Sequence, residues 1–106
     1  MIRLSVIYPR IDDAKFDLDY YMNTHMPLVS KSYSDYGLQD LQVDEGISLS
    51  SKVPSDNILA CYMVFDTLDN LKAALKNEGS TVMADVANFT NIEPTVMFGQ
   101  VYSSSK

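Results

Sequence analysis

Ile2, Leu4, Val6 and Tyr8 alternate with Arg3, Ser5 and Ile7 at the start of the chain. This is the period-two pattern of a strand with one clearly buried face, and Pro9 ends it. A polar link through Asp12 and Asp13 leads into residues 16–28, FDLDYYMNTHMPL, where Leu18, Tyr21, Met22 and His25 fall at i, i+3, i+4 and i+7. Those four share one face of a helix, and that face points inward. Asp17 stands where an N-cap accepts from the first free N–H groups, and Asp19 adds charge that the helix dipole favours. Phe16 and Tyr21 have the spacing of a hydrophobic staple. Pro27 lacks an N–H and restricts Met26, which predicts a kink or break directly after His25. Helix resumes over residues 28–36, with Gly37 as its stop.

Residues 38–49 mix Leu41, Val43, Ile47 and Leu49 with Asp40, Gln42, Asp44 and Glu45, the pattern of an exposed strand bulged near Gly46. The loop SSKVPSDN follows. Residues 58–66, ILACYMVFD, are apolar on both faces: Ile58, Ala60, Tyr62 and Val64 on one, Leu59, Cys61, Met63 and Phe65 on the other. Such a strand is covered on both sides. Thr67 caps a helix with the stripe Leu68, Leu71, Ala74 and Leu75, which Gly79 terminates; Ser80 or Thr81 restarts a short turn through Val82, Met83 and Val86. Residues 95–102 form a last strand, with Val96, Phe98 and Tyr102 on one face and Met97 and Val101 on the other. The polar tail 103–106 is expected to fray.

Strand, helix, strand, strand, helix, strand is the split βαβ order. It predicts an α+β, ferredoxin-like βαββαβ domain spanning residues 1–106, a four-stranded antiparallel sheet with both helices on one face. Two helices cover one face only. Leaving Leu59, Met63, Phe65, Met97 and Val101 in water would expose a patch larger than soluble monomers carry, so a second copy packed sheet to sheet as a homodimer is expected.

Composition narrows the partners. The formal charge of −6, with eight Lys and Arg scattered along the chain, argues against a nucleic-acid partner. The longest apolar run, residues 58–65, falls well short of the roughly 20 residues that span a bilayer. No secretory signal is evident, and a lone cysteine excludes an internal disulfide, so a cytoplasmic protein is expected. One His and one Cys leave any zinc site dependent on carboxylates, and no metal is expected.

His25 leads the candidate chemistry, because imidazole exchanges protons near neutral pH and this one faces inward beside a helix break. The competing reading is a histidine that bonds a carbonyl freed by Pro27 and seals the kink. Tyr21 shares its face, whereas Tyr20 points about 100 degrees away. Tyr62 and Tyr102 alternate with the dimer-facing residues and so are expected to turn towards the helices and a pocket, either bonding ligand or packing with a satisfied hydroxyl. Cys61, in the most apolar strand, reads as a buried small residue more readily than as a nucleophile.

The segment FDLDYYMNTHMPL, an aromatic pair followed by His, one residue, then Pro and Leu, resembles the helix motif of the EthD family. FDTLDNLKAAL and ADVANFTN are similar to that family too, so the resemblance covers nearly the whole chain. One departure is Tyr21, where relatives often carry Trp. The resemblance implies a dimeric α+β barrel, with Asp85 and Phe89 placed beside the cleft, where Asp85 would orient His25 or bind ligand; the competing reading of Asp85 is a solvated capping carboxylate. The family is linked to degradation of ethyl tert-butyl ether, and similar barrels include isomerases, cofactor-free monooxygenases, decarboxylating relatives and haem-handling proteins. Fold alone does not choose among them. The expected function is that of a small dimeric barrel with a hydrophobic pocket for a small apolar or aromatic ligand. It would be a metal-free, cofactor-free enzyme acting on a carbonyl compound, with His25 as acid or base and Tyr21, Tyr62, Asp85, Phe89 and Tyr102 as ligand-binding residues. The alternatives are a non-catalytic binding or accessory protein of a degradation pathway, and a haem site on His25.

Overall fold

A computed structural model describes residues 1–102; the tail read as frayed lies outside the described residues. Four strands, β1 (Ile2–Pro9), β2 (Leu38–Glu45), β3 (Asn57–Phe65) and β4 (Thr95–Gln100), form one antiparallel sheet in the order β2-β3-β1-β4. Between β1 and β2 run α1 (Leu18–Tyr20), a π-helical turn (Tyr21–His25), α2 (Met26–Tyr33) and a 3-10 turn (Ser34–Tyr36). Between β3 and β4 run α3 (Leu68–Ala84) and a 3-10 turn (Val86–Asn88). This is the ferredoxin-like arrangement, with two helical segments on one face of the sheet. Among the described residues, no helix is long and apolar enough to cross a membrane.

The register shows how each row of side chains divides between the faces. Val43, Cys61, Val6 and Val96 lie side by side, as do Leu41, Met63, Leu4 and Phe98. These rows are apolar from edge to edge and face the helices. The alternate rows, Gln42–Tyr62–Ser5–Met97 and Asp40–Val64–Arg3–Gly99, face the open side and mix polar with apolar groups. This corrects the facing of β3: Leu59, Met63 and Phe65 are core residues under the helices, at most 5% exposed, and Tyr62 stands on the open side. Alternation on an all-apolar strand identifies two faces without saying which one the helices take; the partners in β1 and β2 decide it. Met97 alone of the five expected dimer-face residues is an exposed side chain of the open face.

The helix signals are realised with two changes. Asp17 accepts from Tyr20 N at 3.0 Å, Thr67 accepts from Asn70 N at 3.1 Å, and the Phe16 and Tyr21 rings pack at 5.3 Å. Gly37 ends the first helical segment at φ 79, where a side chain would also run into Asp66. Pro27, however, does not break the helix after His25. The missing N–H is absorbed by a turn widened to i→i+5 bonding, seen in Met26 N donating to Tyr21 O, and Pro27 sits in the first turn of α2 where no N–H is needed. Gly79 likewise does not stop α3, which continues to Ala84. The apolar stripe continues beyond it through Val82, whose burial against the sheet outweighs glycine's weak helix propensity. In β2 the irregularity falls at Gln39 in place of Gly46, and the strand ends at Glu45.

Candidate functional site

The loop before α1 and the loop after α3 are stitched together. Asp17 N donates to Phe89 O at 2.8 Å, Lys15 N to Asn91 Oδ1 at 2.8 Å, and Thr90 Oγ1 to Lys15 O at 2.6 Å. This pairing brings the end of α3 against the π turn. That turn, wound more widely than an α-helix, buries Tyr21 and His25, and Tyr20 at the end of α1 reaches Asp85.

His25 is buried, and its Nδ1 lies 2.9 Å from Asp85 Oδ2. Tyr20 donates its hydroxyl to Asp85 Oδ1 at 2.6 Å, and Asn88 Nδ2 donates to the same oxygen at 2.9 Å. Burial by itself would raise the Asp85 carboxyl; the hydrogen bonds from Tyr20, Asn88 and His25 and the charge of His25 outweigh it and hold the group below its ordinary value. The same bond pushes the Tyr20 phenol up, since Asp85 takes its proton in a hydrogen bond that ionisation would lose. An ionised carboxylate only accepts, so His25 carries a hydrogen on Nδ1, and in the neutral imidazole Nε2 is then the accepting nitrogen. Among the described residues Nε2 has no hydrogen-bond partner, and no fully buried side-chain nitrogen or oxygen goes unpaired.

His25 is part of the wall of a cavity of about 240 Å³ between the helices and the sheet. Leu4, Val6, Cys61 and Met63 form its floor, Met26, Val29, Leu75, Gly79 and Val82 its helical walls, and Val96 and Phe98 its half-open side along β4. Tyr8, Tyr21 and Tyr33 add phenol groups, and none of the described lining residues is Lys, Arg, Asp or Glu. Tyr21 stacks on His25 at 5.4 Å, and Phe89 packs against the imidazole at 4.6 Å from outside the cavity. Burial pushes the Tyr8 and Tyr21 phenols up, Tyr21 more so, with the Cys61 thiol beside both. Burial also pushes Cys61 up to about 11, against a partly offsetting hydrogen bond from Tyr21. Among the described residues no three His, Cys, Asp or Glu side chains gather as metal ligands would.

The structure thus brings together His25, Tyr21, Asp85 and Phe89, with Asp85 and Phe89 behind the imidazole and outside the cavity wall. It separates the other two candidates. Tyr62 stands across the sheet from the cavity, and Tyr102 lies past the end of β4 and is 95% exposed. The expected facing of Tyr62 fails with the register of β3. Tyr102 fails because β4 ends at Gln100, where its pairing with Ile2 at the start of β1 runs out. Tyr8, Tyr20, Tyr33 and Asn88 were not singled out by the sequence. Tyr8 carried a usable signal, standing on the same alternating face as Leu4 and Val6.

Comparison with known proteins supplies a family. The family model described as EthD domain matches residues 9–93. An EthD-like protein from Ralstonia eutropha superposes with a TM-score of 0.88 at 28% identity, over 98% of this chain and 94% of that one. An ethyl tert-butyl ether degradation (EthD) family protein from Bacillus halodurans gives 0.74 at 28% identity, over 96% and 99%. SnoaB, a cofactor-independent oxygenase from Streptomyces nogalater, gives 0.66 at 8% identity over 97% and 93%, a likeness of fold alone. No curated protein matches the sequence.

Proposed function

The chain belongs to the EthD domain family, and from that premise we propose that it admits a small apolar or aromatic carbonyl compound to the cavity and moves a proton on it with His25. The observation that carries this reading is the pairing of His25 Nδ1 with Asp85, which leaves Nε2 of the neutral ring as the free basic nitrogen of a side chain that lines an apolar chamber. An engineered cavity of about 150 Å³ holds benzene, so 240 Å³ suits one ring with a short substituent. A charged ligand would find no counter-ion among the described lining residues and would lose its hydration. Nε2 takes the proton from the carbon beside the carbonyl, the C–H electron pair becomes the C=C π bond of the enolate, and the carbonyl π pair moves onto oxygen. Tyrosine hydroxyls of the wall hydrogen-bond that oxygen, while Asp85 stabilises the imidazolium. Return of the proton to another carbon makes the step an isomerisation. Loss of CO2 from a β-keto acid would reach the same anion, and cofactor-free oxygenase chemistry would start from it with dioxygen as oxidant.

Solvent exchange isolates the proton transfer. Acetophenone in D2O should exchange its methyl hydrogens faster with the protein than without it. His25→Gln should lower that acceleration by roughly a hundredfold or more with acetophenone binding retained. Binding without exchange in the wild type would favour a carrier that shelters the ligand, a reading the almost wholly apolar wall also suits. Loss of binding in His25→Gln would assign the histidine to ligand contact and refute the base. We also propose a homodimer through the open sheet face, centred on Ile7, Tyr62, Val64 and Met97.

A further inference from the structure

One wall of the cavity contains a residue with no side chain. Leu75, Gly79, Val82 and Met83 fall at i, i+4, i+7 and i+8 of α3 and all line the chamber. Gly79 is buried, and nothing local requires it to be glycine. Its φ is not positive, that property belonging to Gly37 alone among the described glycines, and a Cβ at position 79 would meet nothing nearer than Leu75 Cβ at 3.8 Å. Glycine in a helix interior is a poor helix former, so the residue weakens α3 without relieving strain or a close approach. What its bare backbone leaves behind is room, on the cavity face of the helix. We propose that Gly79 is the size-determining residue of the site: the missing side chain sets how long a substituent the ring-bearing ligand can carry. This inference rests on the cavity being the ligand site.

The experiment compares two ligand series on the wild type, Gly79→Ala and Gly79→Leu, by calorimetric titration. Acetophenone, butyrophenone and hexanophenone carry the carbonyl; ethylbenzene, butylbenzene and hexylbenzene do not. Gly79→Ala should melt about 4 °C or more above the wild type, from better helix formation. It should bind the longest ligand that the wild type accepts about tenfold or more weakly, with the shortest little changed, as one methyl group in an apolar pocket discriminates. Gly79→Leu should lose all but the shortest members. An unchanged order of affinities in the two variants, or a Gly79→Ala chain less stable than the wild type, overturns the proposal. Alkylbenzenes that show the shift while the ketones bind no better leave Gly79 as the size determinant and refute the carbonyl reading. Binding of neither series to the wild type overturns both.

Discussion

Asp85→Asn separates the dyad's geometry from its chemistry. In the wild type one carboxylate oxygen receives two donors, the Tyr20 hydroxyl and Asn88 Nδ2, and the other faces His25 Nδ1. A carboxamide has one accepting oxygen and one donating nitrogen. The oxygen belongs on the side with two donors, which turns the NH2 towards Nδ1. His25 must then accept at Nδ1 and carry its hydrogen on Nε2, the inverse of the wild-type tautomer. Every bond is still made, so stability should change by no more than about 1 kcal/mol, the net worth of one hydrogen bond. Asp85→Ala is the contrasting variant. The His25 side chain is 4% exposed, so its Nδ1–H would be left without an acceptor away from water. That orphan costs about 1–3 kcal/mol, or a melting temperature lower by roughly 4–8 °C per kcal/mol in a domain of this size.

The chain has a single histidine, so a nitrogen-15 correlation spectrum of the imidazole needs no assignment. The expected result is hydrogen on Nδ1 in the wild type and on Nε2 in Asp85→Asn, with acetophenone exchange reduced as far as in His25→Gln. The same tautomer in both proteins, or wild-type exchange in Asp85→Asn, refutes the reasoning. Acid titration gives a second readout. A carboxyl lowered on folding contributes stability above its unfolded value of about 3.9 and loses it as pH falls through the lower folded value. The wild type should therefore lose stability below about pH 4 more steeply than Asp85→Ala.

Two further expectations follow from the cavity floor and the open face. Burial raises Cys61 to about 11, so its contribution is complete below the unfolded thiol value of about 8.5 and declines as pH rises towards 11. Iodoacetamide at pH 8 should accordingly label the native thiol far more slowly than free cysteine and follow unfolding in denaturant; labelling at the free rate refutes the buried floor. Tyr62→Asp places a charge at the centre of the open face without touching the cavity, and should convert a sedimenting dimer into a folded monomer. A wild type that sediments as one chain at micromolar concentration refutes the dimer.

Where the sequence was read correctly, local chemistry acted alone. The caps at Asp17 and Thr67, the Phe16–Tyr21 staple and the stop at Gly37 depend on neighbours within a few residues. The facing of β3 is decided by distant partners. β3 is apolar on both faces, and only its pairing of Tyr62 with Ser5 and Gln42, and of Cys61 with Val6 and Val43, tells the helix side from the open side. The register was present in the sequence as the polar alternates of β1 and β2, but it becomes a statement about β3 only once the strands are paired. The separation of Tyr20 from Tyr21 on the helix is local, but its consequence depends on α3. Tyr21 enters the cavity wall while Tyr20 reaches around to Asp85, behind the histidine.

The widened turn before Pro27 and the unbroken passage of α3 through Gly79 share a physical cause that bears on the site. Pro27 and Gly79 are the residues that propensity marks as interruptions, and at both places the helix continues because its apolar face is committed to the sheet. The disturbance is not lost; it is converted into shape. At Pro27 the forbidden N–H widens the preceding turn, and that turn carries Tyr21 and His25 into the cavity wall. At Gly79 the absent side chain leaves space in the wall of the same cavity. A chain selected for helix stability alone would place alanine at 79 and an N–H donor at 27, at a gain of about 1 kcal/mol or more at the glycine. It would then carry a Cβ on the α3 wall of the chamber. Both departures from helix propensity thus lie where they shape one chamber, from the two helical segments that enclose it.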